Sequence, residues 1–314
     1  MKITVTEKNS VSIGDMDFSP IEALAEVTYF DEIPADVVSA IGDADGVIVN
    51  KCVITKEIMD ECPNLKYIGT FATGYNNIDV EAASQRGITV CNVPGYSTDA
   101  VAEHALAFML MAAGSTMEYV SSVRNGDWQR CKTFCYYPYH LSELKGKTVG
   151  VFGYGAIGKK VATLCNALEM NVIVHARSKK ADCPFLQVSA NEIFEKSDYI
   201  TFHCPLTEQT KGLVNADTIA KMKDGAVIIN TARGAIVNEN DLVVALKSGK
   251  LRAYCTDVLS VEPMTKDCPL LAVENCYVTP HVAWAGKETR VRLLEIVEEN
   301  LRQFINGTPQ NKVN

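Results

Sequence analysis

An arginine, a glutamate and a histidine stand at comparable places in the second half of the chain. Arg233 closes the run Asn230-Thr231-Ala232-Arg233, Glu262 follows shortly after Asp257, and His281 follows Thr279-Pro280. Each comes after a short run of β-branched and apolar residues of strand character. Ligands of open α/β sheets bind outside the carboxyl ends of the strands, so one rim would gather all three. Their types suit hydride transfer to a 2-oxo acid. An always-charged guanidinium fork holds a carboxylate and polarises a ketone. A histidine delivers a proton to the carbonyl oxygen near neutral pH, and a neighbouring carboxylate favours its protonated form. Singly, each has a plainer reading: Arg233 as a surface ion pair, His281 as a structural histidine, Glu262-Pro263 as a turn. Their joint arrival favours the site.

The elements that must position them have a regular beat. Strand candidates begin near Thr148, Val172, Tyr199, Val227, Ala253 and Tyr277, with helical stretches between several of them. The clearest helix runs from Ala156 to Leu168, with Ile157, Val161, Leu164, Cys165 and Leu168 on one face. Strands alternating with helices roughly 25 residues apart predict a parallel, doubly wound sheet, here of six strands. The N-terminal third has five further candidates: Ile3–Thr6, Glu26–Phe30, Gly46–Asn50, Tyr67–Phe71 and Thr89–Cys91. They predict a second, smaller α/β domain of flavodoxin-like kind. A helix is expected over Ser97–Ala113 and another over Lys287–Phe304, placed to return to the first domain.

The first strand of the six runs into Gly153-Tyr154-Gly155-Ala156-Ile157-Gly158 and from there into a helix. That is the dinucleotide turn in its required context. Gly153 permits the tight turn, Gly155 lets backbone approach a pyrophosphate, and Gly158 lets helix and strand pack closely. The helix start at Ala156 and Ile157 offers free amides to negative charge. The next strand should end in an acid if the cofactor is NAD(H), but the chain reads Ala176-Arg177-Ser178-Lys179-Lys180. Arg177, assisted by Ser178 and Lys179, would grip a 2′-phosphate, so NADP(H) is preferred and NAD(H) possible.

A chain of 314 residues is long enough for two ordinary domains. The net charge of −8 gives no reason to expect a nucleic-acid partner. Met1–Thr6 lacks the character of a signal peptide. The apolar run Ala100–Gly114 is interrupted by Glu103 and His104 and is too short to span a bilayer. A cytoplasmic protein with no membrane partner is expected. The eleven cysteines are odd in number and form no CxxC pair, which argues against a disulfide framework and against a metal site. Cys131 and Cys135 are read as reduced thiols.

Gly153–Gly158, His203-Cys204-Pro205-Leu206, Asn230–Gly234, Asp257 with Glu262-Pro263, and Thr279-Pro280-His281 resemble, in order and spacing, the D-isomer-specific 2-hydroxyacid dehydrogenases. The likeness extends to Thr73–Asp79 and Asn92–Thr98, and so covers nearly the whole chain. Asn275–Asn300 and Phe134-Cys135-Tyr136 look most like the glycerate dehydrogenase (hydroxypyruvate reductase) branch. The resemblance implies that Arg233 binds substrate, His281 is the acid/base and contacts both substrate and cofactor, and Glu262 pairs with His281. Main-chain amides at Thr73 and Gly74 would bind the substrate carboxylate. Thr98, Cys204, Pro205, Thr210, Thr231, Ala232, Asp257 and Ala283 would line the cofactor, with Asp257 near the nicotinamide amide. It further implies a cofactor domain (98–285) inserted within a substrate domain (1–97 and 286–314), a cleft closing over substrate, and a homodimer. Asn50 and Lys51 are expected to face a small 2-oxo acid such as hydroxypyruvate or glyoxylate. Phe134–Tyr137, reaching a neighbouring subunit, would instead favour bulkier acids such as phenylpyruvate; dimer packing is its plainer reading. A nucleotide-sensing corepressor of this fold is the alternative of another class, and formate or phosphite dehydrogenation a further one.

Overall fold

The computed structural model describes all 314 residues, which group into two units: Met1–Ser97 with Trp284–Asn314, and Thr98–Ala283. Within the first unit the Trp284 ring packs edge-on to Tyr96, with centroids 6.5 Å apart.

The first unit is built on five parallel strands, β1 (Lys2–Val5), β2 (Glu26–Tyr29), β3 (Gly46–Val49), β4 (Tyr67–Thr70) and β5 (Thr89–Cys91), in the order β2-β1-β3-β4-β5. That is the flavodoxin-like order, which reverses between β1 and β3. β3 and β4 are buried at every residue, as expected of strands covered on both faces. One cover is the helix Lys287–Ile305, whose Leu293, Leu294, Val297 and Leu301 form an apolar stripe against Ile3, Val5 and Tyr67. The other comes from short helices that bring Ile41, Met59, Ala82 and Ala83 onto Val47, Val49 and Ile68.

The second unit holds β6 (Thr148–Phe152), β7 (Asn171–His175), β8 (Leu186–Gln187), β9 (Tyr199–Phe202), β10 (Ala226–Asn230), β11 (Leu251–Thr256) and β12 (Cys276–Val278). They form one parallel sheet in the order β12-β11-β10-β9-β6-β7-β8. The sheet therefore has seven strands, where six were expected. The extra one, β8, pairs two residues with Ile173 and Val174 at the β7 edge. A two-residue strand with an exposed leucine is too short to carry an alternating pattern. The order reverses between β6 and β9. The helix Thr98–Gly114 covers one face through Ala102, Ala105, Met109 and Ala112, packing beside Val161 and Cys165 of the helix Ala156–Ala167. No single helix is long and apolar enough to cross a membrane.

Candidate active site

The turn after β6 separates the roles of its glycines. Gly153 has φ +101°, and a Cβ there would lie 2.6 Å from the His203 carbonyl oxygen. A Cβ on Gly158 would come within 2.0 Å of the Gly153 oxygen, so helix and strand could not pack. Gly155 differs: its φ is an ordinary −85° and a Cβ would meet no protein atom within 4 Å. Neither backbone conformation nor packing requires a glycine there. What it keeps clear is the outer face of the loop, at the amino end of a helix of 12 residues, where main-chain amides favour an anion.

A cavity of about 660 Å³ opens at this turn, walled by Gly153, Gly155, His175, Ala176 and, from the β9 side, His203 and Cys204. Arg177, Ser178, Pro205 and Thr210 also line it. Ala156 and Ile157 form the first helical turn next to it, outside its walls, and Thr98 begins a helix elsewhere in the unit. Lys180 lines the cavity, and Lys179 beside it is exposed. The extra strand shapes this turn. Gln187 of β8 donates to the Lys180 carbonyl and accepts from its amide, both at 2.8 Å, and so sets the turn. The Thr210 hydroxyl shapes the neighbouring loop, donating to the Pro205 carbonyl and accepting from the Thr207 amide, each at 2.8 Å. Burial pushes the Cys204 thiol up to about 11, so it is a wall and not a nucleophile. His203, which opens the motif His203–Leu206, directly follows β9, and His175, which no motif marks, ends β7. Burial of the His203 ring lowers its pKa to about 3; its Nε2 meets Thr201 Oγ1 at 2.8 Å, and the ring is neutral.

The rim beyond β10, β11 and β12 carries Arg233, Glu262 and His281. Buried Asn230 ends β10 and fixes the next turn: its Oδ1 accepts from the Ala232 amide (3.0 Å) and its Nδ2 donates to the Arg233 carbonyl (2.9 Å). Gly234 then lies against the following loop, where a Cβ would fall 1.9 Å from the Leu259 carbonyl carbon. Leu259 in turn donates its amide to Glu262 Oε1 at 2.8 Å, and Glu262 Oε2 meets His281 Nδ1 at 2.7 Å. Arg233 is exposed and donates from Nη1 to the Ala232 carbonyl at 2.7 Å. With Nδ1 of His281 paired to the carboxylate, the ring's other nitrogen, Nε2, is the one that can exchange a proton.

His281 adopts φ +55°, a left-handed backbone that a non-glycine residue holds only when its surroundings impose it. Asp257, only 2% exposed, imposes it. Its Oδ1 accepts from the Thr279 hydroxyl (2.6 Å) and the Val282 amide (2.8 Å), and its Oδ2 from the Ala283 amide (2.8 Å). Asp257 and Ala283, expected on the cofactor, are thus first of all the clamp that brackets His281. His104 has no motif to mark it in the sequence; its Nε2 lies 3.0 Å from the Thr279 hydroxyl. Thr231 remains a cofactor candidate on a different observation: its hydroxyl oxygen is buried and has no hydrogen-bond partner within the chain. Ala232, half-buried, is the next residue of that turn.

In the first unit, Asn50 is buried and turned inward, its Nδ2 donating to Ser10 Oγ at 3.1 Å, whereas Lys51 is exposed. Thr73 donates from its hydroxyl to the Val93 carbonyl (2.7 Å) and accepts at its own carbonyl from Asn92 Nδ2 (2.7 Å). Gly74 follows it, half-buried.

An open glycine turn, a cavity at the sheet's point of reversal and an orphaned threonine hydroxyl fit a dinucleotide. An arginine and a carboxylate-paired histidine fit the interconversion of an alcohol and a ketone. The class is that of nicotinamide-dependent oxidoreductases. Residues 106–283 match the model of the NAD-binding domain of D-isomer-specific 2-hydroxyacid dehydrogenases, and the chain belongs to that family. It is 41% identical to a hydroxypyruvate reductase of Blautia hydrogenotrophica over 100% of both chains. It is 38% identical to a glycerate dehydrogenase of Methylorubrum extorquens, covering 89% of this chain and 88% of the relative. Among solved structures, an acyclic imino acid reductase in complex with NADPH and D-Arg is 31% identical with a TM-score of 0.90, covering 100% of each chain.

Proposed function

We propose that the protein reduces hydroxypyruvate and glyoxylate to D-glycerate and glycolate, using NADPH in preference to NADH. The observation that carries the chemistry is the 2.7 Å Glu262–His281 pair, tied through Leu259 and Gly234 to the Arg233 turn. Relatives named for hydroxypyruvate, glycerate and glyoxylate support the substrate class. The nicotinamide, when bound, supplies or accepts the hydride. Arg233 pairs with the substrate carboxylate and draws electron density from the ketone. His281 Nε2 gives its proton to the ketone oxygen as the alcohol forms, and takes it back in the reverse direction. Glu262 keeps the ring oriented by holding its Nδ1.

Gly153, Gly155, Ala156, Ile157, Gly158, Cys204, Pro205, Thr210, Thr231 and Ala232 are the cofactor candidates, and Thr98 is a further one. Ala176 followed by Arg177 and Ser178 on the cavity wall supports NADP(H), since no carboxylate there repels a 2′-phosphate and a guanidinium is at hand. Lys51, Thr73 and Gly74 are proposed substrate contacts, with Asn50 as a support of Lys51. The same reading includes a homodimer, supported by the exposed Met117, Val120, Val123, Trp128, Phe134 and Tyr137. It also includes a cytoplasmic location, supported by eleven free cysteines. The deciding experiment assays a panel of 2-oxo acids with both reduced cofactors, following absorbance. Turnover of hydroxypyruvate and glyoxylate with a higher kcat/KM for NADPH is expected. Turnover of no 2-oxo acid would overturn the reading, and a preference for phenylpyruvate would replace its substrate.

A further inference from the structure

Glu7 lies just beyond the carboxyl end of β1, and the loop Asn50–Cys52 follows β3. These are the two strands between which the order of the first sheet reverses, the place where open α/β sheets take ligands. Here the chain fills that place with its own carboxylate. Glu7 is 3% exposed. Its Oε1 accepts from three successive amides, those of Asn50 (2.6 Å), Lys51 and Cys52 (2.8 Å), and its Oε2 accepts from the Thr6 hydroxyl. Three consecutive amides aimed at one oxygen form an anion-binding nest. The carbonyl side of the same loop is held too. Asn77 Nδ2 donates to the Cys52 carbonyl at 2.6 Å and to the Asn50 carbonyl at 3.4 Å.

The loop is therefore fixed at its donors by Glu7 and at its acceptors by Asn77. Its outer residues, Asn50 and Cys52, are buried, and only Lys51 between them is exposed. Burying an ionised carboxylate is costly unless its oxygens are satisfied, and here the satisfaction comes almost wholly from this one loop. We propose that Glu7 is a positioning residue for substrate recognition: it sets the backbone from which Lys51 reaches the polar end of a short 2-oxo acid, remote from the reacting carbonyl. This rests on the proposed role of Lys51 and goes beyond it by naming what directs that side chain. Glu7 itself touches none of the reacting atoms, so its loss acts on binding and selectivity, not on the chemical step.

The test compares Glu7→Gln, Lys51→Ala and the double variant with hydroxypyruvate, glyoxylate and pyruvate. Glu7→Gln should raise KM for hydroxypyruvate about tenfold while kcat and the NADPH Kd stay within about twofold, the signature of lost uniform binding. KM for pyruvate, which has no distal hydroxyl, should move much less. The double variant should be no worse than the poorer single one, because both act through Lys51. In Glu7→Ala, acetate should restore part of the hydroxypyruvate KM by refilling the amide nest, with no such gain in the unaltered protein. If Lys51→Ala leaves every KM unchanged, the reading of Lys51 fails. If Lys51→Ala raises KM but Glu7→Gln does not, or if the two effects simply add, the Glu7 proposal alone fails. Should Glu7→Gln not fold, Glu7→Asp decides: it keeps the charge but withdraws the carboxylate by one methylene, and an unchanged hydroxypyruvate KM there overturns the proposal.

Discussion

Both sheets reverse their strand order once, and the two points of reversal are put to opposite use. Between β6 and β9 the chain places Gly155, where even a methyl group would meet no protein atom, and the amides at the helix start face outward. Between β1 and β3 it places Glu7, whose carboxylate already occupies the amides of Asn50, Lys51 and Cys52. The topology offers an anion site in each case. One is left for a ligand, and the other is consumed in fixing a loop. A strand-order reversal therefore marks where main-chain amides converge, and the side chain placed there decides whether a ligand uses them.

The largest effect expected should leave both switch points intact. His281→Ala should lower kcat by about 10²–10⁴-fold, the range for loss of a general acid, with the NADPH Kd unchanged by fluorescence titration. A matching loss of cofactor affinity would show that the rim and the glycine turn are not separable. Gly155→Val tests the open switch point directly. It should weaken NADPH binding by about tenfold or more, while Tm moves by no more than about 2 °C, because a Cβ there meets no protein atom within 4 Å. Gly234→Ala is the control of opposite kind: its Cβ would fall 1.9 Å from the Leu259 backbone, so Tm should fall clearly. A large Tm loss in Gly155→Val would mean that the fold, not the ligand, demands that glycine. Arg177→Asp comes next. Removing a charge-assisted contact to a 2′-phosphate should lower the NADPH/NADH ratio of kcat/KM by about tenfold. An unmoved ratio would assign the basic turn to the surface.

How far the sequence discloses this comparison depends on the kind of signal. Gly153, Gly155 and Gly158 are legible because three glycines at fixed spacing between a strand and a helix seldom serve any purpose but a phosphate turn. Arg233, Glu262 and His281 are legible because each follows a strand and the types are complementary. Leu186–Gln187 is not, since two residues carry no period, and with it went the pairing of Gln187 with the Lys180 backbone. Glu7 is invisible for a different reason. A single glutamate after a strand ordinarily signals solvent, and only the parallel neighbour supplied by β3 shows that its partners are amides 43 to 45 residues away. Asp257 was legible as a rim acid, but its clamp on Thr279, Val282 and Ala283 depends on the left-handed turn at His281, which no residue type announces.

The smallest effect concerns the wall of the open switch point. His203 is held neutral, its pKa lowered to about 3 by burial against an ordinary value of 6.5. Because the folded value is depressed, the unfolded chain takes up a proton at this position that the folded chain refuses as pH falls below 6.5. The contribution to stability is therefore intact above that pH and is lost progressively between about 6.5 and 3. The slope is about 1.4 kcal/mol per pH unit at most. His203→Gln cannot take up that proton in either state. Between pH 7 and pH 5 its Tm should fall less than that of the unaltered protein, by a few degrees. Equal declines would show that His203 accepts a proton in the folded state. The cavity wall would then carry a positive charge beside the glycine turn, and the open switch point would be an anion site by side-chain charge as well as by its amides.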